Sequence, residues 1–162
     1  MIIAAWVGTG KSYLKKYSNI LDLETTPFRW IYDKIEDYEK FKSSPGKKDK
    51  IKNMKFPNNY VEYLLKIRDK YDAVLIPVQS DIINLLLKNN IDFISVFPSS
   101  NLKHVYKERY KIRGNTNEFI DHILEVWDEK YNLLIDNNIK IIDIKENEYL
   151  EDVLRNMNLI KM

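Results

Sequence analysis

The eight residues Ala5-Trp6-Val7-Gly8-Thr9-Gly10-Lys11-Ser12 follow an apolar run, Met1 to Ala5, and precede a stretch that reads as a helix. Their spacing matches the phosphate-binding (Walker A) pattern G-x-x-x-x-G-K-S/T everywhere but at its first position, which is Ala5. In that pattern successive backbone N–H groups curl around a cluster of anionic oxygens. The Lys reaches the β- and γ-phosphates and the hydroxyl ligates Mg²⁺. Gly8 is free to reach positive φ, Gly10 lets backbone approach phosphate, and a helix beginning near Lys11 aims its positive end at the same place. Gly8, Thr9, Gly10, Lys11, Ser12 and Tyr13 are thus the expected contacts for ATP or another nucleoside triphosphate, with Mg²⁺ at Ser12. The plainer reading is a Gly-Thr-Gly turn followed by a solvated lysine. The strand, loop and helix context argues for the phosphate loop.

Carboxylates end the next apolar run, Ile20-Leu21-Asp22-Leu23-Glu24. An acid at that point can orient an acceptor hydroxyl or a Mg²⁺-bound water. A hydroxyl acceptor makes Asp22 the base candidate, whereas an acceptor that is already a phosphate needs no base and must be held by cations. Asp22 is accordingly expected at both the catalytic centre and the metal, with Glu24 on the substrate side. The competing reading makes Asp22 a solvated strand-end acid and Glu24 a turn residue.

Lys103 to Asn115 supplies complementary charge. Arg113 falls four residues after Arg109, which puts the two on one side of a helix. Two permanently ionised guanidinium groups one turn apart can bracket developing phosphate charge, and Gly114 suits a hinge. The alternative is a basic surface helix.

These residues need a scaffold, and the chain reads as alternating strands and helices. Strands are expected at Met1 to Ala5, Ile20 to Glu24, Ala73 to Pro77, Asp92 to Phe97 and Ile139 to Ile144. Helices are expected at Lys11 to Tyr17, Phe28 to Phe41, Asn58 to Lys70, Leu102 to Ile112, Asn117 to Asn137 and Glu148 to Asn156, and another, capped by Ser80 or Asp81, contains Ile82 to Leu87 and is ended by Asn89-Asn90. Alternation of this kind implies right-handed crossovers and a five-stranded parallel sheet within a three-layer α/β/α sandwich. Ligands of such sheets collect outside the carboxyl ends of the strands, so the loops after Ala5, Leu23, Pro77 and Phe97 should share one rim. Residues 1–162 read as a single domain, with a mobile lysine-rich insertion at 42–59 and a lid-like helical region at 101–116.

The 26 basic and 24 acidic residues leave a net charge of +2, so anion affinity must be local and nucleic acid is not a favoured partner. No cysteine is present, which excludes disulfides, thiolate metal sites and cysteine nucleophiles and is compatible with the cytoplasm. The first seven residues are too short for a secretory or membrane segment. His104 and His122 have no ligand spacing that suggests zinc, and Trp127-Asp128-Glu129-Lys130 reads as packing plus solvated charge. Phe28, Trp30 and Tyr32 could stack on a base, but aromatics at helical spacing usually belong to a core.

Together, the loop from Ala5 to Ser12, the Leu21-Asp22-Leu23-Glu24 strand end, the Arg109/Arg113 helix and the closing strand at Ile139 to Asp143 resemble P-loop kinases of the nucleoside monophosphate kinase type. The likeness is greatest to the small adenylate-kinase-like proteins of phages and prophages, and covers nearly the whole chain in architecture. It implies a P-loop NTPase fold and phosphoryl transfer from ATP to a nucleotide or nucleoside. Lys11 and Ser12 would bind donor phosphates and Mg²⁺, Arg109 and Arg113 would belong to the lid, and Arg29 would meet the acceptor phosphate. One departure concerns the acid usually found at the end of a buried strand, because Ala73 to Ile76 runs into Pro77-Val78-Gln79. Either Asp22 or Asp81 supplies that contact, or nucleotide is bound without efficient turnover. A hydroxyl kinase acting on nucleic-acid ends or another small molecule, and a non-catalytic nucleotide-binding switch, remain as alternatives.

Overall fold

A computed structural model describes residues 1–31 and 51–160 of the chain. The first strand, β1 (Ile2–Ala5), leads through the glycine loop into a six-residue 3-10 helix, Lys11–Lys16. β2 (Ile20–Asp22), the one-turn α1 (Thr26–Arg29) and β3 (Trp30–Ile31) follow. Beyond residue 50 come β4 (Ile51–Lys52), α2 (Asn58–Ile67), β5 (Ala73–Pro77), α3 (Ser80–Lys88) and β6 (Ile94–Pro98). The chain continues with α4 (Lys103–Ile112), α5 (Asn117–Glu125), α6 (Trp127–Asp136), β7 (Ile141–Ile144) and α7 (Leu150–Asn156).

The main sheet has the order β2-β5-β1-β6-β7, and every neighbouring pair is parallel. β1 is central, with Ala5 opposite Pro77 on one side and Val96 on the other. Burial on both faces explains why Ala73-Val74-Leu75-Ile76 is an unbroken apolar run rather than an alternating one. Ile2, Ala4, Val74, Ile76 and Phe97 meet a layer containing Tyr60, Leu64, Ile82, Leu86, Tyr106 and Trp127. Ile3, Ala5, Leu75 and Val96 meet Leu14, Leu150, Val153 and Leu154 on the opposite face. The result is an α/β fold whose five-stranded parallel sheet is covered on both sides, as a three-layer sandwich requires. Each Leu or Ile buried here contributes about 1.5–3 kcal/mol of transfer free energy, so the two apolar layers fix the strand ends in place.

Local structure departs from the sequence reading in three places. The helix after the glycine loop is 3-10 rather than α. Tyr13 N donates to Gly10 O and Tyr17 N to Leu14 O, the three-residue spacing of the tighter helix, and the segment packs against β2. Trp30 and Ile31 are strand residues, paired antiparallel with Lys52 and Ile51, because the backbone of a partner strand overrides a helical spacing of side chains. Finally, the long helix at 117–137 divides at Val126, and the bend seats the wholly buried Trp127 against Trp6, Phe97 and Tyr106. The rest of the expected helix to Phe41, with Tyr32, and residues 42–50 of the expected insertion lie outside the described residues. Among the described residues no helix is long and apolar enough to cross a membrane.

Candidate functional site

Parallel strands place their carboxyl ends on one edge, and there the loops after β1, β2 and β5 enclose an open cleft of about 1120 Å³. Lys11, Ser12, Asp22, Glu24, Arg29, Arg109 and Arg113 all line it, together with Gly8, Gly10 and Tyr13. Residues distant in sequence are thus gathered by the topology. The loop after β6, expected on the same rim, does not line the cleft.

The glycine loop has a fixed polarity. Its carbonyls point into protein: Ala5 O and Trp6 O accept from Lys11 Nζ at 2.8 and 3.2 Å, and Trp6 O also accepts from Thr9 Oγ1 at 2.8 Å. Tyr110 Oη donates to Val7 O at 2.9 Å, Leu150 N to Thr9 O at 2.9 Å, and Tyr13 N to Gly10 O at 3.1 Å. Among the described residues, none of the backbone N–H groups from Val7 to Ser12 donates a hydrogen bond. Six consecutive undonated N–H groups, with the carbonyls of Ala5, Trp6, Val7, Thr9 and Gly10 already bonded, are the arrangement that an anion-binding nest requires. Gly8 and Gly10 make this shape possible with φ of 83° and 103°. At Gly8 a Cβ would also stand 2.6 Å from Tyr110 Cε1. Ala5 ends a strand and has no positive φ, so its methyl group costs the loop nothing. Thr9 is fully buried, and its side chain braces the loop instead of facing the cleft.

Charge is distributed unevenly around the nest. Burial pushes the Lys11 ammonium down to about 8, with Asp22 opposing the shift and Arg113 adding to it. Arg109 donates to the backbone carbonyl of Glu146 at 2.7 Å, and its guanidinium lies 4.8 Å from the Tyr106 ring centroid. Arg113 is exposed at the rim. Asp22, the last residue of β2, sits where burial raises its carboxyl above the ordinary value. Lys11 counters that rise, and so does a hydrogen bond with Ser12. Tyr60 holds this strand end by donating to Leu23 O at 2.8 Å. Glu24 pairs with Lys15 at 2.8 Å. Arg29 donates to Gln79 Oε1 at 2.6 Å, approaches Asp81 at 3.5 Å and lies over the Phe56 ring. Tyr13 is exposed, with the Lys16 ammonium 3.8 Å above its ring.

Several cleft residues escaped the sequence reading. Tyr149 packs within 3.7 Å of a Cβ built at Gly10, and the strand-end rule applied to β7 would have found it. His122 and Lys130 also line the cleft, and Lys130 Nζ bonds Ser80 Oγ at 2.6 Å and Glu129 at 2.7 Å. No sequence signal marks this pair, because Ser80 and Lys130 meet only through the packing of α3 and α6. Among the described residues no group of three or more His, Cys, Asp or Glu side chains could hold a metal ion. Ser12 and Asp22 are instead two neighbouring oxygen donors beside an anion nest, a set suited to Mg²⁺ shared with phosphate oxygens and water. No protein-family model matches the chain, and no curated protein matches it.

Proposed function

We propose that the protein is a P-loop phosphotransferase of the nucleoside monophosphate kinase type, moving a phosphoryl group from ATP or another nucleoside triphosphate to a nucleotide or nucleoside. The observation that carries this reading is the row of undonated N–H groups from Val7 to Ser12, with Lys11 beside it and two arginines on the same cleft. The N–H groups would hold the donor phosphates, Lys11 would turn from its loop carbonyls to meet their terminal oxygens, and Ser12 with Asp22 would hold Mg²⁺. The metal supplies charge neutralisation on the phosphates. Arg109 and Arg113 would stabilise charge on the transferred group, and the volume of the cleft would leave room for an acceptor beside the donor. The reading puts the protein in the cytoplasm, where nucleoside triphosphates are supplied.

The test is titration with Mg-ATP, followed through the fluorescence of Trp6 at the cleft wall, and then a coupled assay over nucleosides and their monophosphates. Saturable binding below millimolar concentration with multiple turnovers supports the reading. No binding at millimolar Mg-nucleotide ends it. A second reading, a nucleotide-binding switch without transfer, is supported by the neutral Pro77-Val78-Gln79 at the end of β5. It expects nucleotide to stabilise the fold with no product from any acceptor.

A further inference from the structure

The cations of the cleft fall into two sets that differ in what balances them. Around the nest, Lys11 bonds the backbone carbonyls of Ala5 and Trp6, and Arg109 bonds that of Glu146. Among the described residues neither of them, nor Arg113, forms a salt bridge with a carboxylate. Carbonyls orient a cation without cancelling its charge, and although Asp22 acts on Lys11, three cations against that acid leave this half net positive for a polyanion. On the side formed by the ends of β2 and β5 and by α6, the described cations that line the cleft are each met by an acid. Arg29 pairs with Asp81 and Lys130 with Glu129, and beside the cleft Lys15 pairs with Glu24. Gln79 and Ser80 take up further donors of Arg29 and Lys130.

A phosphate ester arriving on this second side would have to compete with Asp81 for Arg29 and with Glu129 for Lys130, and would add two negative charges beside Asp22. An uncharged molecule faces no such competition. It meets the amide of Gln79, the hydroxyls of Thr25, Thr26 and Ser80, and an apolar wall at Val78 and Ile123. Resting on the phosphotransferase reading, we infer that the acceptor is an uncharged, hydroxyl-bearing molecule of nucleoside type, recognised in the charge-balanced half of the cleft between Arg29 and Lys130. In the reaction a bond forms between the acceptor oxygen and the terminal phosphorus as the bond from that phosphorus to the bridging oxygen breaks. The diphosphate departs with that electron pair and the hydroxyl proton is released to water.

The experiment compares adenosine, cytidine, guanosine, thymidine and uridine with their 5′-monophosphates under saturating Mg-ATP, in wild type, Asp81→Asn and Glu129→Gln. Both substituted carboxylates are well exposed, at 41% and 64% of the side chain, so the variants should fold. The expected wild-type result is a kcat/KM at least about tenfold higher for one or more nucleosides than for the matching monophosphate. Opening the Lys130 pair with Glu129→Gln should shift that ratio toward the monophosphate by about tenfold with Mg-ATP affinity unchanged, and opening the Arg29 pair with Asp81→Asn should shift the ratio the same way. A wild-type preference for monophosphates, or Mg-ATP binding with no nucleoside turned over, overturns the inference. Loss of Mg-ATP binding itself would strike the phosphotransferase reading instead, so the two failures are distinguishable.

Discussion

The guanidinium of Arg109 lies over the ring of Tyr149 with 4.4 Å between its carbon and the ring centroid. This stack ties α4 to the segment between β7 and α7, and Tyr149 in turn packs beside Gly10. One of the two cleft arginines is therefore oriented before any anion reaches it. An arginine held in this way contributes most where charge develops during transfer. Arg109→Ala should lower kcat by about 10³-fold while nucleotide affinity changes far less. Steady-state kinetics beside calorimetric binding measures both. Near wild-type turnover in Arg109→Ala and Arg113→Ala would remove this helix from the chemistry.

Under the proposed function Lys11 would link nucleotide binding to pH. Its pKa near 8 lies below the 10.5 of an exposed lysine, so folding disfavours its charged form. That cost is present in full below about pH 8 and is relieved as pH rises from about 8 toward 10.5. A polyphosphate restores the charged form, so binding at pH 9 should take up close to one proton per nucleotide, with almost none from this group at pH 6.5. Calorimetry in buffers of different ionisation enthalpy reads the uptake directly. Lys11→Ala should abolish it and weaken both binding and rate.

Asp22 carries the opposite charge with a related penalty. Its pKa is raised, so the native state binds its proton more tightly than the unfolded chain does. Stability is lost as pH climbs through the unfolded value of 3.8 to the native one. At neutral pH Asp22→Asn should therefore raise the melting temperature while removing Mg²⁺-dependent transfer. A variant with a lower melting temperature and retained activity would show that the carboxylate serves packing alone.

Gly8 has two reasons to lack a side chain, while Gly10 has one. Gly8→Ala forces a methyl group toward Tyr110 and strains a φ of 83°, whereas a Cβ at Gly10 meets nothing closer than 3.7 Å. Strain of each kind costs about 1–3 kcal/mol. Gly8→Ala should lower the melting temperature by several degrees more than Gly10→Ala, since 1 kcal/mol moves a chain of this size by roughly 2–4 °C. Equal losses would assign the cost to φ alone.

Tyr60→Phe removes the buried donor to Leu23 O and leaves that carbonyl unsatisfied. The expected loss is about 1–3 kcal/mol in chemical denaturation, with Asp22 less well positioned and kcat reduced. An unchanged midpoint would mean that water replaces the phenol.

Much of this molecule was legible from residue order. The strands at Ile2 and Ala73 announced themselves because strands covered on both faces are apolar at every position, and those at Ile20, Ile94 and Ile141 by short apolar runs with a single polar residue each, signals that need no knowledge of neighbours. The glycine loop and Lys11 were legible for a different reason, since backbone geometry there depends on residue type directly. What escaped depends on contacts distant in sequence. Trp30-Ile31 became a strand only because Ile51-Lys52 lies beside it, and the helix broke at Val126 only because Trp127 has an aromatic pocket to fill. The site divides in the same way. Strand ends and helical spacing singled out Asp22, Arg109 and Arg113, and all three line the cleft. The pairing of Arg29 with Asp81 and of Lys130 with Ser80 needed three dimensions.

Tyr110 reaches Val7 from the layer on one face of the sheet, and Leu150 reaches Thr9 from the layer on the other. The loop is the keystone where these two layers meet. Loosening either one, by a cavity deep under α4 or beneath α7, slackens the same few peptide units at the mouth of the cleft. Under the proposed function, affinity for an anion would thereby be a property of the whole interior. Variants with altered binding should turn up at buried positions such as Tyr106 and Val153, which do not line the cleft.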